Sequence, residues 1–162
     1  MAIIGIVCVD KNWGIGFNNQ LLFDIKEDME FFKFHTLNNT VIMGLNTYKS
    51  IGKPLKNRKN IVLSFEPIDL GPDVEVFTSI EQCLDHINRD NDIYIIGGAT
   101  IYNSFLPYYD KIYVTKVNAE ENADTYFPNL DLNNDFKLDM QTSPFKTKNG
   151  YDITFNLYSR RK

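Results

Sequence analysis

Asp28 occupies a place where an amphipathic helix would put an apolar residue. On a helical wheel, Ile25, Asp28, Met29 and Phe32 share one side, while Lys26, Glu27, Glu30 and Lys33 gather on the other, where water is expected. An acid in the first turn of a helix gains from the dipole and needs no further purpose. Glu27 and Glu30 already serve that end on the wet face. A carboxylate among Ile25, Met29 and Phe32 is costly unless a strong partner meets it, which makes Asp28 a candidate ligand-facing acid. A second kind of chemistry is written in the glycines. "TVIMG" (40–44) and "IYIIGG" (93–98) each end in glycine immediately before a helical pattern. In open α/β sheets, ligands gather beyond the carboxyl ends of the strands. Helix starts there present free N–H groups to an anion. Two such starts could hold a nucleotide's phosphates without many basic side chains. Neither stretch is a G-x-G-x-x-G or P-loop, and tight packing also explains many paired glycines.

Other chemistries find less support. His35 and His86 are the only histidines, and neither stands in a serine or cysteine catalytic setting, so both read as helix-surface side chains. Glu120, Glu121, Asp124, Asp131 and Asp135 lack a calcium-loop spacing and read as a solvated acidic face. No metal site is expected. Cys8 and Cys83 have no metal-ligand spacing and read as one thiol in a strand and another on a helix, in a reducing cytoplasm. A net charge of −4 offers no electrostatic footprint for nucleic acid. The apolar run Ala2–Val9 is too short to span a bilayer and lacks the basic start and cleavage site of a secretory signal. With no exposed apolar stripe evident, a monomer is expected.

The elements that must position these residues follow from periodicity. The 162 residues, 43% hydrophobic, suffice for one domain over residues 1–162 with a substantial core, and no repeat or linker divides them. "IIGIVCV", "TVIMG", "KNIVLS", "VEVF", "DIYII" and "KIYVTKVNA" read as strands. The stretch "DKNWGIGFNNQ" reads as turns. Asp24 with Glu27 suggests a capping box for the helix that follows. "LNTYKSIG" is a short helix stopped by Gly52. "SIEQCLDHINR" is amphipathic, with Ile80, Cys83, Leu84 and Ile87 inward. "FKLDMQ" and "DITFNLYSR" form an antiparallel pair around "TKNG". Together these predict an α/β three-layer sandwich, a central mixed sheet of about eight strands flanked by about four helices.

Taken in order, "GIGFNNQL", "TVIMGLNTYKSIGKPLKNRKNIVLS", "IIGGATIY" and "DTYFP" closely resemble the dihydrofolate reductase family, collinear from about Ile3 to Tyr158. The resemblance implies reduction of 7,8-dihydrofolate to tetrahydrofolate by NADPH in a cleft crossing the sheet. It places Asp28 as the family's single pocket acid, pairing with the pterin 2-amino group and N3, the charge-assisted partner that a carboxylate on an apolar face requires. Asp28 lies too far from pterin N5 in that pose for simple proton donation, so its implied roles are anchoring the ring and raising the basicity of N5. Phe32, Ile51 and Leu55 would pack on the pterin and benzoyl rings, and Arg58 would receive the glutamate α-carboxylate. Ile4, Gly5, Ile96 and Thr115 match pocket-lining positions, with Thr115 bonding the back of Asp28. On the cofactor side, the resemblance implicates Gly44, Leu45, Asn46 and Thr47 at one helix start and Gly97, Gly98, Ala99, Thr100, Ile101 and Tyr102 at the other. Gly97–Gly98 falls where the family holds a cis peptide. Ile6, Ser64 and, from a loop that closes over nicotinamide, Ile15, Gly16, Asn19 and Leu21 complete the set. Trp13 would anchor that loop by packing.

Two departures stand out against the family. Leu22-Phe23 replaces its common Pro-Trp, with loss of an indole donor. Leu45 and Phe65 replace basic residues that many members aim at the cofactor 2′-phosphate, Thr100 stands where some members have another, and Glu66 follows Phe65. Ser64 remains, and Lys49 or Lys53 could reach in. The expectation is an enzyme that takes NADPH but discriminates less strongly against NADH. The competing assignments are the pyrimidine reductase of riboflavin synthesis, which resembles this fold, and a nucleotide- or pterin-binding protein with little turnover.

Overall fold

The computed structural model describes residues 1–87 and 90–162. In chain order the elements are β1 (Ile3–Val9), β2 (Gly14–Phe17), β3 (Gln20–Leu21), α1 (Lys26–Thr36), β4 (Thr40–Gly44), α2 (Leu45–Ile51), β5 (Lys59–Leu63), β6 (Val74–Phe77), α3 (Ile80–His86), β7 (Ile93–Ile95), α4 (Ala99–Ser104), β8 (Lys111–Val117), β9 (Thr125–Tyr126), β10 (Phe136–Gln141), β11 (Phe145–Lys146) and β12 (Asp152–Arg160). The main sheet runs β10-β12-β8-β1-β7-β4-β5-β6, with β11 added against β12. The strands from β8 through β6 are parallel to their neighbours, and β12 turns antiparallel on β8. This is the mixed sheet expected. The helix expected over 79–89 is described as far as residue 87; Asn88 and Arg89 lie outside the described residues.

Alternation along β1 sorts the layers. Ile3, Val7 and Val9 join Cys83, Ile87, Tyr102 and Phe105 on the side covered by α3 and α4. Ile4 and Ile6 join Phe31, Phe32, Leu45 and Tyr48 on the side covered by α1 and α2. Cys8 continues that second face, packed against a cluster containing Phe23 and Ile25. Ile42, Ile61, Ile93 and Ile95 have no exposure at all; each such side chain contributes about 1.5–3 kcal/mol by leaving water. Among the described residues, no helix is long and apolar enough to cross a membrane.

Three local expectations need correction. The stretch read as turns is a β-hairpin: Asn18 and Asn19 take φ of 53° and 61°, as a tight turn between twisted strands requires. Its strand β2 also pairs with β9, forming a separate three-stranded sheet. The Asp24–Glu27 capping box does not form, because Ile25 precedes the first helical residue and makes no side-chain cap. The turn of the last hairpin closes that end instead: Lys148 N–H donates to Glu27 Oε2 at 2.9 Å and Asn149 Nδ2 donates to Asp24 O at 2.7 Å. Helix α1 is also rotated from the expected wheel. Met29 is half exposed, whereas Phe31 stacks on Phe155 with ring centroids 4.1 Å apart.

Candidate active site

Asp28 enters the molecule from the first turn of α1 and meets Thr115 on β8. The Thr115 hydroxyl donates to Asp28 Oδ1 at 2.6 Å, a length suited to a charge-assisted bond. Cys8 on β1 is the register partner of Thr115 and projects from the same face of the sheet. Burial pushes the Asp28 carboxyl upward from its ordinary value, and the bond from the Thr115 hydroxyl acts in the opposite direction. Asp28 thus lies partly buried between α1 and β8, and among the described residues it forms no ion pair.

Apolar side chains cover the face of the sheet on which α1 lies. Ile4, Phe32, Leu55 and Ile96 belong to one cluster on the α1–α2 side of the sheet, together with Leu45 and Ile6. Gly5 faces the opposite layer, where a Cβ would stand 3.1 Å from both Ile112 and Tyr109. Ile51, the last residue of α2, is 36% exposed and lies outside that cluster.

Arg58 is brought to the far end of α1 by a second set of contacts. Its Nη1 donates to Thr36 Oγ1 at 3.1 Å and its Nε to Lys56 O at 2.9 Å. Among the described residues it makes no ion pair with a carboxylate. Its turn is held by Asn60, 3% exposed, whose side chain accepts from Leu55 N–H and donates to the carbonyls of Leu55 and Arg58 at 2.9–3.0 Å. A half-buried guanidinium with a free edge can receive a carboxylate in two-point fashion.

At the carboxyl edge of the sheet, the two glycine-led helix starts face each other. Gly44 N–H donates to Gly97 O at 2.8 Å, and the Gly97–Gly98 peptide is cis. A Cβ on Gly44 would come within 3.0 Å of Ile101, and one on Gly98 within 3.4 Å of Thr47 Oγ1. Gly97 has φ of +117°, which favours glycine, and the Tyr102 ring lies against it. Tyr102 is buried, and its hydroxyl donates to Ile6 O at 2.8 Å, tying α4 to β1. Asn46 and Thr100 are exposed, and Ala99 is half buried. Ser64 follows Leu63, the register partner of Gly44, and its hydroxyl donates to Glu66 O at 2.8 Å. Phe65 is 96% exposed.

The loop residues divide. Gly16 is pressed between Thr125 and Gln20, with 2.8 Å from its would-be Cβ to Thr125 Oγ1. Asn19 and Leu21 are exposed on the hairpin, whereas Ile15 is buried in the cluster that includes Trp13. Trp13 packs against Phe127 and Tyr158, with Lys116 over its ring. Sequence reasoning passed over Asp10, 3% exposed, which accepts from the backbone N–H groups of Asn12, Gly14 and Glu121 and so fixes the base of this loop. Its only signal is an acid at a strand end before a Gly-containing turn. Two residues of the expected acidic face are structural: Asp124 accepts from Asn18 N–H, and Asp131 accepts from the Tyr158 hydroxyl and pairs with Lys116. His35 is packed between Phe31 and Tyr113 rather than lying free on the helix surface.

Comparison with known proteins agrees with this geometry. The family model described as Dihydrofolate reductase matches residues 2–160. The dihydrofolate reductase of Bacillus subtilis (strain 168) is 35% identical over 156 residues, covering 96% of this chain and 93% of that one. Dihydrofolate reductase type 3 of Salmonella typhimurium is 35% identical over 162 residues, 100% of both chains. Among solved structures, the dihydrofolate reductase from Enterococcus faecalis complexed with NADP(H) and RAB-propyl matches with a TM-score of 0.90 at 27% identity, over 99% of this chain and 97% of that one.

Proposed function

This chain belongs to the dihydrofolate reductase family, and from that premise we propose that it reduces 7,8-dihydrofolate to 5,6,7,8-tetrahydrofolate with NADPH, in support of one-carbon metabolism. The observation that carries the proposal is the carboxylate of Asp28, partly buried on the face of the sheet that holds Ile4, Phe32, Leu55 and Ile96, and bonded by the Thr115 hydroxyl. A pterin edge offers such an acid two N–H donors side by side. Asp28 anchors the ring through its 2-amino group and N3 and raises the basicity of N5, to which water carries the proton. Ile4, Phe32, Leu55 and Ile96 supply the dry walls, with Ile51 at the rim. Arg58 takes the glutamate α-carboxylate at the other end.

The residues at the carboxyl edge suit a dinucleotide. Glycine at positions 44, 97 and 98 lets the starts of α2 and α4 approach closely, with Ile101, Tyr102 and Thr47 standing where a Cβ would project. Their first-turn amides have no preceding carbonyl to bond and can donate to phosphate oxygens. Thr47, Asn46 and Thr100 add side-chain donors, Ser64 borders them with its hydroxyl turned to Glu66 O, Ala99 and Ile101 form the wall, and Tyr102 gives support from below. Ile6, with Ile15, Gly16, Asn19 and Leu21 of the β2–β3 hairpin, would border the nicotinamide. The chemistry NADPH supplies when bound is hydride transfer to pterin C6; the protein contributes alignment and exclusion of water. The reading is completed by a cytoplasmic location and a monomeric state.

The test is direct. Purified protein mixed with NADPH loses the reduced-nicotinamide absorbance on addition of dihydrofolate, and an antifolate stops the loss. A preparation that binds both molecules yet shows no such decay would overturn the proposal.

A further inference from the structure

Three neighbouring strands place a row of side chains directly beneath Asp28. Cys8 on β1 is the register partner of Thr115 on β8, which in turn pairs with Phe155 on β12. Paired residues in a sheet project from the same face, and this face is the one α1 covers: Thr115 bonds Asp28 and Phe155 stacks on Phe31. Cys8 is therefore aimed at the underside of the same carboxylate, and it belongs to the cluster that also holds Ile25, just before the helix.

We propose that Cys8 is a positioning residue, donating its S–H to Asp28 so that with Thr115 it forms a two-point support, one donor from each of two paired strands, that orients the carboxylate toward the pterin. This rests on Asp28 being the working acid of the proposed reductase. A single hydroxyl leaves a carboxylate free to swing about one bond; two donors from a rigid sheet fix its plane. The thiol suits the place because it is a weak donor with a largely apolar body. It packs against Phe23 and Ile25 without demanding water. Burial and the neighbouring carboxylates of Asp28 and Asp10 push this thiol well above its ordinary value, so it keeps its proton and remains a donor. The titratable groups around Asp28 are Cys8 on β1, Asp10 just after that strand, Tyr102 from α4, His35 along α1 and Glu27 beside it. The Tyr102 hydroxyl is spoken for by the Ile6 carbonyl, and Glu27 Oε2 by the Lys148 amide, which leaves Glu27 Oε1 buried without a partner among the described residues.

The experiment compares pH profiles of kcat/KM for Cys8→Ala and Cys8→Ser, taking the midpoint that vanishes in Asp28→Asn as that of Asp28. Loss of the donor in Cys8→Ala raises this midpoint by about half a unit, since the charged form loses a weak hydrogen bond. Cys8→Ser, with a stronger donor, leaves it at or below the wild-type position. A merely space-filling role predicts the same midpoint in both variants, and that result would overturn the proposal. A second measurement needs no Cys8 variant. The S–H stretching band of Cys8, assigned by its survival in Cys83→Ala, lies below the free-thiol position if it donates; a band at the free-thiol position sinks the idea. Full activity in Asp28→Asn would instead count against the reductase mechanism itself.

Discussion

Replacing Asp28 with asparagine should make the protein a poorer enzyme and a more stable one. The side chain keeps its shape, and its carbonyl oxygen can still accept from the Thr115 hydroxyl that now lies 2.6 Å away. What is lost is the negative charge, and with it the paired grip on the pterin. Turnover near neutral pH should fall by roughly 10²–10⁴, which corresponds to about 3–5 kcal/mol of transition-state stabilisation. Stability moves the other way. Burial raises the Asp28 carboxyl in the folded chain, so between the unfolded and folded values the native state binds more protons than the unfolded one, and stability declines as pH rises. At neutral pH the wild-type protein carries the full penalty of a desolvated carboxylate, about 1.4 kcal/mol for each unit of displacement. Below the unfolded value, near about 3.9, both side chains are neutral and the difference disappears. For a chain of this length, each recovered kcal/mol raises Tm by about 2–4 °C. The assay is thermal unfolding of both proteins across this range, alongside steady-state rates. A variant with no stability gain at neutral pH would refute the burial penalty. One with wild-type turnover would refute the role assigned to the acid.

Arg58→Leu should raise KM for dihydrofolate by about 10–100-fold with little change in kcat, the effect of losing a charged hydrogen-bond pair worth about 1.5–3 kcal/mol. A substrate truncated before its glutamate should show no such difference between the two proteins; a penalty that persists there would place Arg58 outside the carboxylate contact. For the cofactor, exposed Phe65 and Glu66 and half-buried Leu45 offer no cation to a 2′-phosphate. The ratio of kcat/KM for NADPH over NADH should therefore stay below about a hundredfold, since each missing arginine–phosphate contact removes about 1.5–3 kcal/mol of preference. A larger ratio would mean that Lys49, Lys53 or another group reaches the phosphate.

The parts of the fold legible in the sequence were those written in local periodicity. The buried runs at "IIGIVCV" and "TVIMG" could only be covered strands, and Gly52, with φ of 85°, ends α2 where a glycine was expected to stop it. The hairpin around Asn18 and Asn19 escaped notice because its strands are short and its partner β9 lies over a hundred residues away. The start of α1 misled for a related reason. A capping box is a local solution, and the chain uses a distant one, the turn at 147–150. The many asparagines, mute in the sequence, have physical uses. Asn18, Asn19, Asn38 and Asn57 take positive φ, and the Asn60 and Asn156 side chains satisfy buried backbone groups. At the site, Asp28 could be singled out because a charge on an apolar face is anomalous in any sequence. Asp10, Cys8 and Asn60 could not, since what marks them is the set of strands and turns folded around them.

The clasp at the head of α1 has a consequence for how the molecule is made. The acid and its helix leave the ribosome early, but the amide of Lys148 and the side chain of Asn149 that secure them are translated more than a hundred residues later. A nascent chain lacking its final hairpin therefore holds this helix without the clamp at its start. The head of α1 is thus closed by bonds that can form only after residues 147–150 have been made.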